Sequence, residues 1–139
     1  MKIKLVLGVA VLFGLGGATL PLTRTNAQET AVQLTHKDAL GLVRTVNTIQ
    51  ATKSVGGGRY GSLGDILRKD GSLPLQREII LSDDSSGSVR DYKLSVVVSG
   101  DGRRYQVSLR PAAGCGIAFF SGESGVIYEG RGLGCPASQ

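Results

Sequence analysis

The sequence predicts an α+β fold, with an N-terminal helix packed on an antiparallel sheet of about four strands and a C-terminal disulfide loop. Three observations predict it. Apolar residues recur at three- and four-residue spacing from Ala39 to Ile49, which is the period of a helix face. Apolar and polar residues alternate from Tyr92 to Val98, as in a half-buried strand. The only two cysteines, Cys115 and Cys135, enclose a short segment near the C-terminus.

The N-terminal segment is predicted to be a signal peptide, residues 1–27. Lys2 and Lys4 precede an uncharged, mostly apolar stretch at 5–18, which is shorter than the ~20 residues that a membrane span needs. Small residues lie where a signal peptidase reads the chain, so cleavage is expected after Ala27. An uncleaved membrane anchor is the alternative, because no charged residue interrupts the apolar stretch.

Cleavage would leave residues 28–139 as one globular domain in the periplasm or outside the cell. The whole chain has 16 basic and 11 acidic side chains and a net charge of +5. Loss of Lys2, Lys4 and Arg24 leaves 13 basic against 11 acidic groups, and the chain has no Trp. This weak charge and the 5% aromatic content argue against a nucleic-acid partner.

The first helix is predicted to begin after Thr35. Thr35 and Asp38 have the spacing of a capping box, and the glycines at 56–58 end the helix. The apolar stripe is expected to be the core face. It consists of Ala39, Leu42, Val43, Val46 and Ile49, while Arg44, Asn47, Gln50 and Lys53 are expected to face solvent.

A shorter second helix is predicted from Ser62 to Gly71. Ser62 and Asp65 again have capping-box spacing, and Gly71 is the expected stop. Residues 72–88 read as irregular, with a candidate strand "REIIL" at 77–81 and a polar turn "SDDSSGS". The two aspartates of that turn lack the ligand spacing of an EF-type calcium loop, so a solvated turn is favoured.

Two hairpins supply the four predicted strands. In the first, Tyr92–Val98 and Tyr105–Leu109 flank a "GDG" turn, and Arg103 and Arg104 lie at or near its tip. These two arginines are candidate surface contacts for an acidic partner, although a solubilising tip is the favoured interpretation.

The second hairpin consists of "IAFF" and "GVIY", separated by "SGES" at 121–124. Cys115 and Cys135 lie on either side of it and are predicted to form a disulfide, because an even pair in an exported protein is most simply oxidised. The bridge would close a loop of about 21 residues and limit fraying of the terminal strands.

Ordered short motifs resemble those of type IV pilin-like proteins and pseudopilins. These are "ALGLVRTVNTIQATKSVGGGRYGSLGDIL", a Tyr-led strand pair and "AFFSGESGVIYEG", within residues 38–130. The family has an "LRTLNTAQ"-type helix segment, then "GY.SL..L", and closes with an "FF.D.SGVIR"-like hairpin. The resemblance implies a long N-terminal helix on an antiparallel sheet and a C-terminal disulfide loop like that of many pilins.

The chain departs from the family at its N-terminus. The family's processing site resembles G-F-T-L-x-E, and its Glu begins the apolar helix that packs into the filament core. Here the apolar stretch contains no acid, and the first acidic residue is Glu29. A major pilin is therefore not expected, and a pilin-like domain exported by the general route is.

The predicted function is that of an exported, non-catalytic structural or interaction protein, accessory to type IV pilus or type II secretion machinery. Its expected partners are protein components of those machines, and a membrane enters only if the apolar segment is uncleaved. A periplasmic ligand- or protein-binding module is the alternative, which an apolar pocket between helix and sheet would favour.

No cofactor, metal or catalytic group is expected. The single histidine, His36, lies at a helix start, and the sequence places no serine and carboxylate around it. Ser62 and Asp65 are read as capping residues. The Gly-rich segments "GGGRYG" and "GRGLG" lack the phosphate-loop pattern and read as turns.

Overall fold

Two helices cover one face of a six-stranded antiparallel sheet in the computed structural model, which describes residues 32–55, 58–69, 71–132 and 135. The predicted signal peptide lies outside the described residues. No helix in the described ranges is both long and apolar enough to span a membrane.

The elements follow one another without a crossover. The helices are α1 (His36–Val55) and α2 (Leu63–Lys69), followed by a 3-10 turn at Gln76–Glu78. The strands are β1 (Ile79–Leu81), β2 (Ser86–Val89), β3 (Tyr92–Val98), β4 (Tyr105–Pro111), β5 (Ile117–Gly122) and β6 (Tyr128–Arg131). Their order in the sheet equals their order in the chain, and each neighbouring pair is antiparallel. The α+β class and the helix-on-sheet arrangement are confirmed.

The apolar stripe of α1 is buried as predicted. Ala39, Leu42, Val43 and Val46 have no exposed surface, and Ile49 is 7% exposed. They pack in one core with β-strand residues, including Leu94, Val107, Leu109 and Phe119. Helix α1 contacts β4 and β5, whereas α2 contacts β2 and β3.

Both helices begin at the expected caps. Thr35 Oγ1 accepts a hydrogen bond from the Asp38 N–H at 3.1 Å, while the Asp38 carboxylate lies 3.7 Å from the Arg90 guanidinium. At α2 the capping box is reciprocal: Ser62 Oγ accepts from the Asp65 N–H, and the Asp65 carboxylate accepts from the Ser62 N–H.

The expectation that Gln50 faces solvent was wrong. Its side chain is fully buried, and Nε2 donates to the Gly61 carbonyl at 2.6 Å while Oε1 accepts from the Gly61 N–H at 2.9 Å. Asn47 is also half-buried, since Nδ2 donates to Ser121 Oγ and Oδ1 accepts from the Tyr105 hydroxyl. These amides satisfy polar groups that the returning chain brings against the helix, which helix periodicity does not reveal.

The sheet has six strands, so the prediction of about four was too low. The polar run at 82–88 divides: 82–85 form the turn, and 86–89 form β2 between β1 and β3. A Cβ on Gly87 would lie 2.7 Å from the Ile80 carbonyl oxygen, so only glycine fits this close approach. Serine and glycine are poor strand formers, and pairing on both sides overrides that preference.

The last strand begins later than predicted. Strand β5 runs to Gly122, through the first half of the expected turn, and β6 starts at Tyr128. The connection is held by Ser121 Oγ, which donates to the Val126 carbonyl at 2.8 Å, and by the Gly125 N–H, which donates to the Gly122 carbonyl. Because the Ser121 side chain, within β5, bonds to Val126, the turn extends to 127 and β6 begins three residues later than predicted.

The C-terminal loop is closed as predicted. Cys115 and Cys135 form a disulfide with their Cα atoms 5.5 Å apart. The bridge joins the chain that precedes β5 to the chain that follows β6, and thereby cross-links the last hairpin at its open end.

Candidate functional site

The face of the sheet that the helices leave open carries the residues of the candidate site. Along β3 and β4, Leu94, Val96, Val107 and Leu109 point to the helices and are fully buried. The alternate positions, Lys93, Ser95, Val97, Gln106, Ser108 and Arg110, point the other way and are exposed or half-buried.

Two positive charges lie directly opposite each other on this open face. Lys93 of β3 pairs in register with Arg110 of β4, and both side chains are exposed. Like charges directly opposite in an antiparallel pair repel each other and destabilise it. Within the described part of the chain, neither residue makes an ion pair or a side-chain hydrogen bond. The repulsion between them is therefore not neutralised by a described acidic group.

A cavity of about 400 Å³ contains this pair. Backbone of the chain around the disulfide forms another part of its wall, and Ala118 and Phe120 of β5 supply an apolar part. Its lining consists of Lys93, Arg110, Pro111, Ala112, Gly114, Gly116, Ala118, Phe120, Gly130, Arg131 and Gly132. The volume lies within the range of small-molecule sites in proteins.

Local structure explains why these residues meet. The β3–β4 register follows from the turn at 99–104, in which Ser99 and Arg104 exchange backbone and hydroxyl bonds. Gly102 has φ +71°, and a Cβ there would lie 2.8 Å from Arg59 Cβ, so the turn needs glycine at this position. The disulfide holds the Gly114–Gly116 segment at the end of the same hairpin.

The arrangement suits binding of an anion. A guanidinium and an ammonium group are the side chains that bind carboxylates and phosphates, and the apolar wall can hold a hydrocarbon group beside them. The side chains along the described lining are cationic or apolar, with glycine backbone between them.

The arginines singled out from the sequence lie elsewhere. Arg103 and Arg104 are exposed at the tip of the β3–β4 hairpin, where their backbone N–H groups donate to Asp101 and Ser99. Arg103 lines a smaller cavity of about 260 Å³ with Arg59 and Tyr60. Arg103 and Arg104 therefore lie at the opposite end of the β3–β4 hairpin from the disulfide.

The polar residues considered for catalysis or metal binding have structural partners. His36 Nε2 lies 3.0 Å from a Glu129 carboxylate oxygen, and the imidazole ring packs against Phe119. Ser85 and Ser86 donate hydrogen bonds to the Asp83 carboxylate, and these bonds lower the pKa of Asp83 to about 2. Among the described residues there is no group of three His, Cys, Asp or Glu side chains that could hold a metal ion.

Sequence reasoning missed the Lys93–Arg110 pair, although a usable pattern was present. With the turn at 99–104 known, counting outward pairs Val98 with Tyr105 and Lys93 with Arg110. The predicted second strand ended at Leu109, one residue too early to include the arginine. The pairing of β4 with β5 could not be counted in this way, because the sequence of the connecting segment at 112–116 specifies no loop length.

Comparison with protein-family models, curated protein sequences and solved structures finds no match to this chain. The resemblance to pilin-like proteins thus stays a prediction from the motifs.

Proposed function

We propose that this chain is an exported, non-catalytic interaction protein of the pilin-like kind, accessory to type IV pilus or type II secretion machinery. The observation that carries the proposal is the one-sided architecture, in which both helices cover one face of the sheet and the other remains open within the described residues. The pilin-like motifs at 39–67 and 118–130 supply the choice of machinery.

The open face exposes two large apolar side chains. Val97 is 54% exposed and Tyr128 is 63% exposed, and Tyr128 lies opposite Phe120 in the β5–β6 pair. Half-buried serines at 86, 95 and 108 continue the same row across the sheet. Aromatic residues and arginine are enriched where proteins meet, so Tyr128 and Arg110 on the open face support the proposal.

The disulfide indicates an oxidising, extracytoplasmic environment. We propose the periplasm or the medium, reached after cleavage behind Ala27. N-terminal sequencing of the protein from the soluble fraction of its own host should begin at Gln28. Recovery of the intact apolar segment in the membrane fraction would instead support the anchored alternative.

The interaction proposal is tested by site-specific photo-cross-linking in the host. A photoreactive residue at Val97 should cross-link to a pilus or secretion component, whereas the same residue at Ala51, exposed on the outer side of α1, should not. Deletion of the gene should reduce piliation or secretion. An unaltered phenotype, together with equal cross-linking from both positions, would contradict the proposal.

A periplasmic binding module is the second candidate, and the cavity beside Lys93 and Arg110 favours it. From the sequence, a binding module was expected to have an apolar pocket between helix and sheet. That space is occupied by the fully buried side chains of the core, and the cavity lies on the opposite face.

A further inference from the structure

We propose that the cavity beside the Cys115–Cys135 disulfide binds a ligand that carries one oxyanion group on an apolar body, with Lys93 and Arg110 as its anion-binding residues. This inference rests on the binding-module candidate and gives it a ligand class. The accessory-subunit proposal does not depend on it.

The charge arrangement is the first argument. Lys93 and Arg110 face each other across β3 and β4, and the described chain brings no acidic partner to either. Two other described arginines do have acidic partners: Arg68 lies 3.0 Å from Asp84, and Arg90 lies 2.7 Å from Glu78. A bound anion would remove the repulsion between the two cations and gain a charge-assisted hydrogen bond from each.

The shape and polarity of the cavity are the second argument. Ala118 is 8% exposed and Phe120 is half-buried, and both line the cavity beside the charged pair. Pro111 adds further apolar surface. A volume of about 400 Å³ exceeds what a bare inorganic anion needs, so the remaining space suits a hydrocarbon or aromatic group attached to the anion.

The rigidity of the wall is the third argument. The cavity residues belong to adjacent strands of the sheet and to the chain that the disulfide restrains. A Cβ on Gly116 would lie 2.7 Å from Pro111 Cγ, so a side chain at 116 would displace this wall. Groups held in place before binding lose little conformational entropy when a ligand arrives.

The experiment is an NMR titration of the purified, disulfide-bonded protein with matched anionic and neutral probes. The anionic probes are benzoate and phenyl phosphate, and benzamide is the neutral control of the same shape. We expect saturable shifts of the Gly114, Gly116 and Ala118 amides with the anions and none with benzamide. The affinity should fall as salt is added, because screening weakens exposed charge pairs.

The variants Lys93→Gln and Arg110→Gln should each weaken benzoate binding by about ten- to a hundredfold, the loss expected for one hydrogen bond to a charged group. Arg103→Gln removes the same charge from the far tip of the same hairpin and should leave affinity unchanged. Both cavity positions are exposed, so the variants are expected to fold, and a melting curve beside each titration checks this.

A further pair of probes distinguishes two sources of the anionic group, a free small acid and the end of a protein chain. N-acetylphenylalanine represents a free small acid, and an acetylated pentapeptide ending in phenylalanine represents the carboxylate end of a protein chain. Tighter binding of the pentapeptide would assign the site to a peptide end, and tighter binding of the single amino acid would assign it to a small molecule.

Absence of saturable binding by every probe, equal binding of benzamide, or unchanged affinity in both cavity variants would overturn the inference. Cross-linking from Val97 would still report separately on the accessory-subunit proposal. The anion-binding inference and the accessory-subunit proposal can thus fail independently, and the two experiments show which one has failed.

Discussion

The two faces of the sheet are formed by alternate residues of the same strands, but they differ in packing and charge. The helix-covered face presents fully buried side chains such as Leu94 and Val107, and its polar groups are satisfied by amides of α1. The open face presents two cations directly opposite each other, Lys93 and Arg110, and no acidic group among the described residues pairs with either.

The difference shows which face is arranged for stability. Packing on the covered face lowers the free energy of the folded state, whereas a directly opposed like-charge pair raises it. Unfavourable local arrangements that neighbouring residues do not relieve are expected at functional or strained sites.

The largest expected effect compares two adjacent residues of β5. Phe119→Ala should lower the free energy of unfolding by about 3–5 kcal/mol, because a fully buried ring leaves a cavity in the core. Phe120→Ala, on the open face, should cost no more than about 1 kcal/mol. Urea denaturation measures both, and similar losses would contradict the assignment of the two faces.

The disulfide should be next in size. Replacing both cysteines, Cys115→Ser with Cys135→Ser, should cost about 2–4 kcal/mol through the greater freedom of the unfolded chain. Hydrogen exchange should accelerate first in β5 and β6, the strands that the bridge encloses. Two free thiols in the native protein by mass spectrometry, or an equally stable double variant, would refute this account.

The buried amide of α1 tests how the covered face satisfies polar groups. Gln50→Leu would leave the N–H and carbonyl of Gly61 without their partners and should cost about 1–3 kcal/mol despite the added apolar surface. Thr52→Leu, at an exposed position of the same helix, serves as the control and should change stability by less than about 0.5 kcal/mol. Equal effects in thermal denaturation would argue against a specific role for the amide.

On the open face, removal of a charge should stabilise the fold. Lys93→Gln relieves the repulsion with Arg110 and should raise the free energy of unfolding by about 0.2–1 kcal/mol at low salt. The gain should shrink as salt is added. Arg103→Gln, with the same change in net charge, should show no comparable gain, and equal gains from both variants would point to net charge alone.

The smallest effect concerns the β1–β2 turn at low pH. Hydrogen bonds from Ser86 and Ser85 lower the pKa of Asp83 from 3.8 to about 2. Because the folded pKa lies below the unfolded one, the carboxylate stabilises the fold above pH 3.8, and this contribution is lost as the pH falls toward 2. Asp83→Asn should flatten this part of the stability profile, and unchanged profiles by circular dichroism would contradict it.

Much of the local structure was predictable because it depends on near neighbours. The caps at Thr35 and Ser62 and the core face of α1 follow from residues three or four positions apart. Strand β2 was missed because its residues have weak strand propensity and gain order from pairing with β1 and β3. Strand β6 was misplaced because Ser121, within β5, holds the preceding turn.

Local patterns in the sequence were enough to predict the α+β class, the apolar core face of α1, the central hairpin and the disulfide, because periodicity, capping and a single cysteine pair are local or unique features. The burial of Gln50, the six strands of the sheet, and the cavity that Lys93 and Arg110 share with the disulfide loop became apparent only in the folded chain. These outcomes depend on contacts between residues distant in the chain, whose register no local pattern specifies.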